Sequence, residues 1–136
     1  MISLADYFGP YDDHPDATSQ RREAADDMLS KVNALLLEAE EAGAYEWLVN
    51  PKTGTNISGT RNGGFRPHDC PEGAPSSSHK QGRGVDVYDP QEQLDGWLTD
   101  QILAKHGLYR EAPDATHSWT HLTDRSPPSG RRTFSP

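Results

Sequence analysis

The chain has 136 residues, 32% of them hydrophobic, with 12 Gly, 11 Pro and a formal net charge of −8. That length suits one domain, residues 1–136, with a modest core, and the Gly and Pro content favours a loop-rich α+β fold over a helical bundle. The acidic balance and the lack of a basic stripe argue against nucleic acid as a partner. Cys70 is the single cysteine, which excludes an internal disulfide, and no apolar run reaches the length of a membrane span. The first residues lack the basic start and apolar centre of a signal peptide, so synthesis in the cytoplasm is expected. A monomer is the working expectation.

In chain order, residues 1–17 read as an extended arm pinned by Tyr7, Phe8 and Tyr11. Good N-caps at Asp16, Thr18 and Ser19 then open a helix over residues 18–42. Ala25, Met28, Leu29, Val32, Leu35, Leu36 and Ala39 recur at three- and four-residue steps, which makes this helix the main apolar slab, and Gly43 stops it. Tyr45–Val49 reads as a strand, Asn50–Asn56 as a turn, and Ile57–Thr60 as a short returning partner. A loop with an exposed guanidinium at Arg66 follows, and residues 68–78 form a long polar loop of the kind that is usually functional.

Val85–Tyr88 has strand character, with Asp86 on the face opposite the valines. Gln91–His106 reads as a second helix stopped by Gly107, Leu108–Glu111 as a short strand, and Ser118–Thr123 as a strand carrying His121. Residues 124–136 form an irregular tail.

His79 lies seven positions before Asp86, and His121 follows far downstream. Two imidazoles and one carboxylate suit zinc with an open position, the arrangement of a catalytic rather than a structural site. Spacing alone carries little weight, because a histidine and an aspartate at this separation also occur as ordinary loop and strand residues. His68-Asp69-Cys70 is a poorer candidate, since no second pair of ligands accompanies it in sequence.

The neighbouring residues add to this reading. Ser77-x-His79-x-x-Gly82-x-x-x-Asp86 resembles the Ser-x-His-x-x-Gly-x-Ala-x-Asp signature of the zinc D-Ala-D-Ala carboxypeptidase and L-alanyl-D-glutamate endolysin family, with Gly84 at the usual alanine. Trp119-Thr120-His121 resembles the downstream element that supplies that family's last ligand, and Gly64-Phe65-Arg66-Pro67 its substrate-contacting arginine loop. The match runs over roughly residues 59–123. The resemblance implies a small antiparallel sheet covered by helices, zinc on His79, Asp86 and His121, and hydrolysis of an amide bond in peptidoglycan stem peptides or cross-links. It also implies a phage lysis or virion-associated setting.

Arg66 and Ser77 are then candidate substrate contacts, and Trp119 a cleft wall. The family's general base stands three residues before the last ligand, where this chain has Ser118. A serine hydroxyl is no base at neutral pH, so His117, placed by strand alternation on the face of His121, and Asp114 become the candidates. The same departure leaves open a module that binds zinc and wall peptide, or another phage protein, without cutting. A metal-free structural domain is the third possibility.

Overall fold

The computed structural model describes residues 1–136, and the fold is α+β. The central helix α2 runs Ser19–Glu41, capped by the Thr18 hydroxyl, which accepts from Arg21 N at 3.2 Å. Its seven expected apolar residues are all buried. At about 1.5–3 kcal/mol for each large aliphatic side chain, that face is the principal source of stability.

The N-terminal arm is helical rather than extended. Helix α1, Leu4–Phe8, begins in a capping box formed by Ser3 and Asp6 and continues as a 3-10 turn at Gly9–Tyr11. Reciprocal capping satisfies two orphan amides at once. Tyr7 and Phe8 then enter the core, where the Phe8 and Phe65 ring centroids lie 5.0 Å apart.

Four strands form one sheet in the order β1-β3-β2-β4: β1 Gly84–Tyr88, β2 Tyr109–Glu111, β3 Trp119–Thr123 and β4 Thr133–Phe134. The sheet is mixed rather than purely antiparallel. β3 pairs antiparallel with β1 and β2, whereas β4, from a tail expected to be irregular, runs parallel to β2. Alternation divides the faces. Val85, Val87 and Leu122 point into the core, and Asp86, His121 and Glu111 occupy the opposite face.

Tyr45–Val49 is not a strand. Trp47 has φ +54°, and the Asn56 amide donates to the Trp47 and Leu48 carbonyls at 2.9 and 3.0 Å. A side chain thus satisfies backbone groups that a neighbouring strand would otherwise have met. The segment after it covers the free edge of β1 with a single bridge, Ile57 to Val87, and with hydrogen bonds from Ser58 N to Asp86 O and from Asp86 N to Gly63 O.

The second expected helix is split into α3, Gln93–Trp97, and α4, Asp100–Lys105. Leu98 between them is extended, and the Thr99 hydroxyl caps α4. Buried Asp89 accepts from Leu94 N and Asp95 N at the start of α3 and from the Thr120 hydroxyl on β3. Buried Asp95 pairs with Arg110 of β2 at 3.3 Å and accepts from the Thr116 hydroxyl. Burial pushes the Asp95 carboxyl up, against the pull of Arg110. These two carboxylates lock β2 and β3 against α3 and so fix what their outer faces present.

Candidate metal centre

The outer face of the sheet carries the site. His79 sits in a 3-10 turn, Ser78–Gln81, that ends at Gly82 with φ +73°, a left-handed conformation that suits glycine. A Cβ on Gly82 would also meet Arg21 O at 2.6 Å. The turn delivers the chain into β1 with His79 beside Asp86, and the β1–β3 register sets Asp86 directly opposite His121.

One ligand atom from each of His79, Asp86 and His121 lies within 4.8 Å of the others. Asp86 Oδ1 is 3.2 Å from His79 Nε2 and 2.8 Å from His121 Nδ1. The far nitrogens are also engaged. His79 Nδ1 donates to Gly64 O at 2.7 Å, and His121 Nε2 lies 3.4 Å from the Ser78 hydroxyl. The Gly64 carbonyl, which can only accept, fixes the His79 tautomer, whereas the Ser78 hydroxyl permits either His121 tautomer.

With a neutral ring, the His79 Nε2 lone pair therefore faces Asp86 Oδ1, while His121 Nδ1 can donate to the same oxygen. The His79 lone pair and the Asp86 oxygen repel one another at 3.2 Å unless a cation lies between them, a proton on the imidazole or a metal ion. The donor set fits a metal, and two imidazoles with a carboxylate suit zinc. Burial alone would push the Asp86 carboxyl up, but His79 and His121 outweigh it and hold the group well below the usual carboxylate range.

Two cavities flank the triad and share Arg66, Asp86 and Trp119 as walls. The first, about 660 Å³, is also lined by His79, His121, Ser77 and Glu111 and by tail residues including Pro127 and Phe134. The second, about 640 Å³, extends past Tyr88 and Ser118 towards Lys52 and Arg61.

The expected site residues divide. Trp119 lines both cavities. Arg66 is not an exposed cation: its side chain is 12% exposed, donating to Asp86 Oδ2 at 3.4 Å and to Asn62 O at 2.6 Å. Ser77 lines the first cavity, but its hydroxyl caps the Ser78–Gln81 turn by accepting from His79 N at 3.3 Å.

His117 and Asp114 are not gathered at the triad, and neither lines the cavity that contains it. His117 is 75% exposed and 3.6 Å from Glu92. The alternation argument fails because Ser118 has φ +74°, which breaks the extended run between 117 and 119. Asp114 stands exposed in the 3-10 turn Pro113–Ala115.

Two residues of the site were not singled out in the sequence. Ser78, one of three consecutive serines, is the one whose hydroxyl reaches His121. Glu111 is the other. Tyr109 pairs with Thr123 and Arg110 with Leu122, and one further step along this register sets Glu111 opposite His121. Side chains so paired have Cβ atoms about 5 Å apart. Glu111 is half-buried, lines the triad's cavity and has no ion pair or side-chain hydrogen bond of its own. The row Asp86, His121, Glu111, Phe134 thus runs across all four strands. The available signal was alternation within Tyr109-Arg110-Glu111, which becomes informative only once strand pairing is known.

Comparisons with protein-family models, with curated proteins and with solved structures find no match for this chain.

Proposed function

We propose that the chain is a zinc-dependent peptidase that hydrolyses an amide bond in peptidoglycan stem peptides or cross-links, in a phage lysis or virion-associated setting. One observation carries the chemistry: His79, Asp86 and His121 converge with their outer nitrogens already engaged, and an unpaired carboxylate, Glu111, stands across the ladder from His121 in the same cavity. The choice of wall peptide as substrate is supported by the sequence resemblance over residues 59–123.

His79, Asp86 and His121 would hold the zinc. When bound there, the ion supplies Lewis acidity, polarising a carbonyl and making water a stronger acid. Glu111 takes a proton from the attacking water and passes it to the leaving amine as the C–N bond breaks, replacing His117 and Asp114 in that role. Arg66 donates to Asp86 Oδ2 and orients the ligand carboxylate. Trp119, shared by both cavities, is the wall along which a peptide lies across the triad.

The test is mass spectrometry of muropeptides incubated with zinc-loaded protein, chelator-treated protein and the Glu111→Gln variant. Metal-dependent loss of a terminal D-alanine or splitting of cross-linked dimers, absent in the variant, is the expected result. Intact muropeptides with zinc confirmed bound would refute the peptidase. They would favour the second reading, a zinc-binding module that docks on wall peptide, which Ser118 in the usual base position supports.

A further inference from the structure

The loop Asn62-Gly63-Gly64 turns three successive carbonyls towards the triad, and each holds a different group. Asn62 O accepts from Arg66 Nε at 2.6 Å, Gly63 O from Asp86 N at 2.7 Å and Gly64 O from His79 Nδ1 at 2.7 Å. Arg66 in turn donates to Asp86 Oδ2 at 3.4 Å. Two of the three candidate ligands, and the guanidinium beside them, thus depend on one stretch of backbone.

That stretch is itself tightly held. A Cβ on Gly63 would meet Ser58 O at 2.1 Å, and one on Gly64 would meet Tyr7 O at 2.2 Å. Phe65 N donates to Tyr7 O at 3.0 Å, which ties the exit of the loop to α1. One side chain ties its entry. Asn62 Oδ1 accepts from the Tyr11 hydroxyl at 2.6 Å, and the Asn62 amide nitrogen donates to Glu72 Oε1 at 3.1 Å. An amide offers an acceptor at one end and donors at the other, and here both ends are engaged. They join the N-terminal segment and the 68–78 loop at the residue whose carbonyl holds Arg66. Neither Tyr11 nor Asn62 lines the cavity walled by all three candidate ligands.

We propose that Asn62 is a positioning residue of this centre: braced by Tyr11 and Glu72, it sets the carbonyls that orient Arg66 and His79 around Asp86. The effect on zinc rests on the metal-centre reading, whereas the effect on Arg66 and His79 does not. The N-terminal segment then has a second role besides filling the core. Through the Tyr11 hydroxyl it reaches the ligand carboxylate in two steps, Asn62 and Arg66.

The experiment follows exchange of the Arg66 Nε–H and His79 Nδ1–H protons with water, by nitrogen-edited NMR of the full zinc-free chain. Tyr11→Phe is the mild variant, since it keeps the ring that lies 5.5 Å from the Arg61 guanidinium and removes only the hydroxyl. Both protons should exchange about fivefold faster in Tyr11→Phe, the equivalent of one neutral hydrogen bond, and at least as fast in Asn62→Ala. Arg110 Nε–H, which donates to Thr133 Oγ1 between β2 and β4, should stay as protected as in the wild type. Zinc titration against a chelating dye should show binding weakened about fivefold by Tyr11→Phe and about tenfold by Asn62→Ala. The double variant should match Asn62→Ala, because both changes act through one bond. Unchanged exchange at Arg66 and His79, an equal rise at Arg110, additive losses in the double variant, or a zinc affinity that neither change alters would each overturn the positioning role. The expected exchange in a chain that binds no zinc would sink the metal centre and leave the positioning role standing. Tight zinc binding by every variant with wild-type exchange would do the reverse.

Discussion

Two histidine–carboxylate groups in this protein meet the same distance criterion, and only one is built as a site. His79, Asp86 and His121 gather their ligand atoms within 4.8 Å, and so do His14, Asp16 and Asp69. In the first group, the histidine side chains are 5% and 6% exposed and the far nitrogen of each ring has a protein partner. In the second, Asp69 is exposed, and the Asp16 carboxylate is already taken by the His68 backbone amide at 2.8 Å and by the His68 ring. Proximity of ligand types is common on an acidic surface. Burial and protein partners on the far nitrogen of each ring are what separate a candidate metal centre from a surface cluster.

The largest expected effect breaks the comparison outright. His121→Ala should abolish zinc binding and hydrolysis together, whereas His14→Ala with Asp69→Ala should leave one zinc per chain, as read by elemental analysis. Removing zinc from the wild type should lower the melting temperature, since a ligand a thousandfold above its Kd contributes about 4 kcal/mol. Two zinc ions per wild-type chain, falling to one in the His14 variant, would show that the second group is also a site.

Next in size is Glu111→Gln. The expected outcome is a fall in kcat of about 10²–10⁴ with zinc content unchanged, because a general base leaves and the ligands remain. His117→Ala and Asp114→Asn should leave kcat within about twofold, as expected of exposed residues away from the ligand cavity. A large loss in His117→Ala with Glu111→Gln unaffected would reverse the assignment.

A smaller effect tests the outer contacts. A methyl on Gly84 would meet the Ser78 hydroxyl at 2.3 Å and His121 Cε1 at 3.1 Å. Gly84→Ala should therefore turn Ser78 away from His121 and weaken zinc affinity by about tenfold, the low end for loss of such a contact. Zinc titration against a chelating dye would measure it. Unchanged affinity would mean that the Ser78 contact at 3.4 Å does not orient the ring.

The same contrast explains what was legible in the sequence. The long helix was read almost to the residue, Ser19–Glu41 against 18–42, because its periodicity and Thr18 cap are local signals. The candidate ligands His79, Asp86 and His121, proposed from residue type and motif, do come together as a group that could hold a metal ion. Glu111 was invisible because its place opposite His121 depends on pairing between strands far apart in sequence. His117 was misplaced because one residue, Ser118 at φ +74°, interrupts an otherwise strand-like run. The helical arm was missed although Ser3 and Asp6 stand at capping-box spacing, since adjacent aromatics with nearby prolines suggested an extended segment. His68 and Asp69 were set aside for want of a second pair, and the fold brings His14 and Asp16 to them without making a buried site.

That surface group gives the smallest prediction, one of stability rather than chemistry. The hydrogen bonds from the His68 backbone and ring lower the Asp16 carboxyl below its ordinary value. A depressed folded-state pKa means that the bond contributes fully above the unfolded carboxylate value, about 3.9, and is lost as pH falls through the folded value. Asp16→Asn should therefore reduce stability by less than about 1 kcal/mol at neutral pH, as exposed pairs do. The difference from wild type should vanish on acidification below the folded value. Paired thermal melts at several pH values isolate this difference from the other carboxylates, which titrate alike in both proteins. A gap that widens in acid would mean that Asp16 joins the arm to the 68–78 loop through its shape and packing, with its charge incidental.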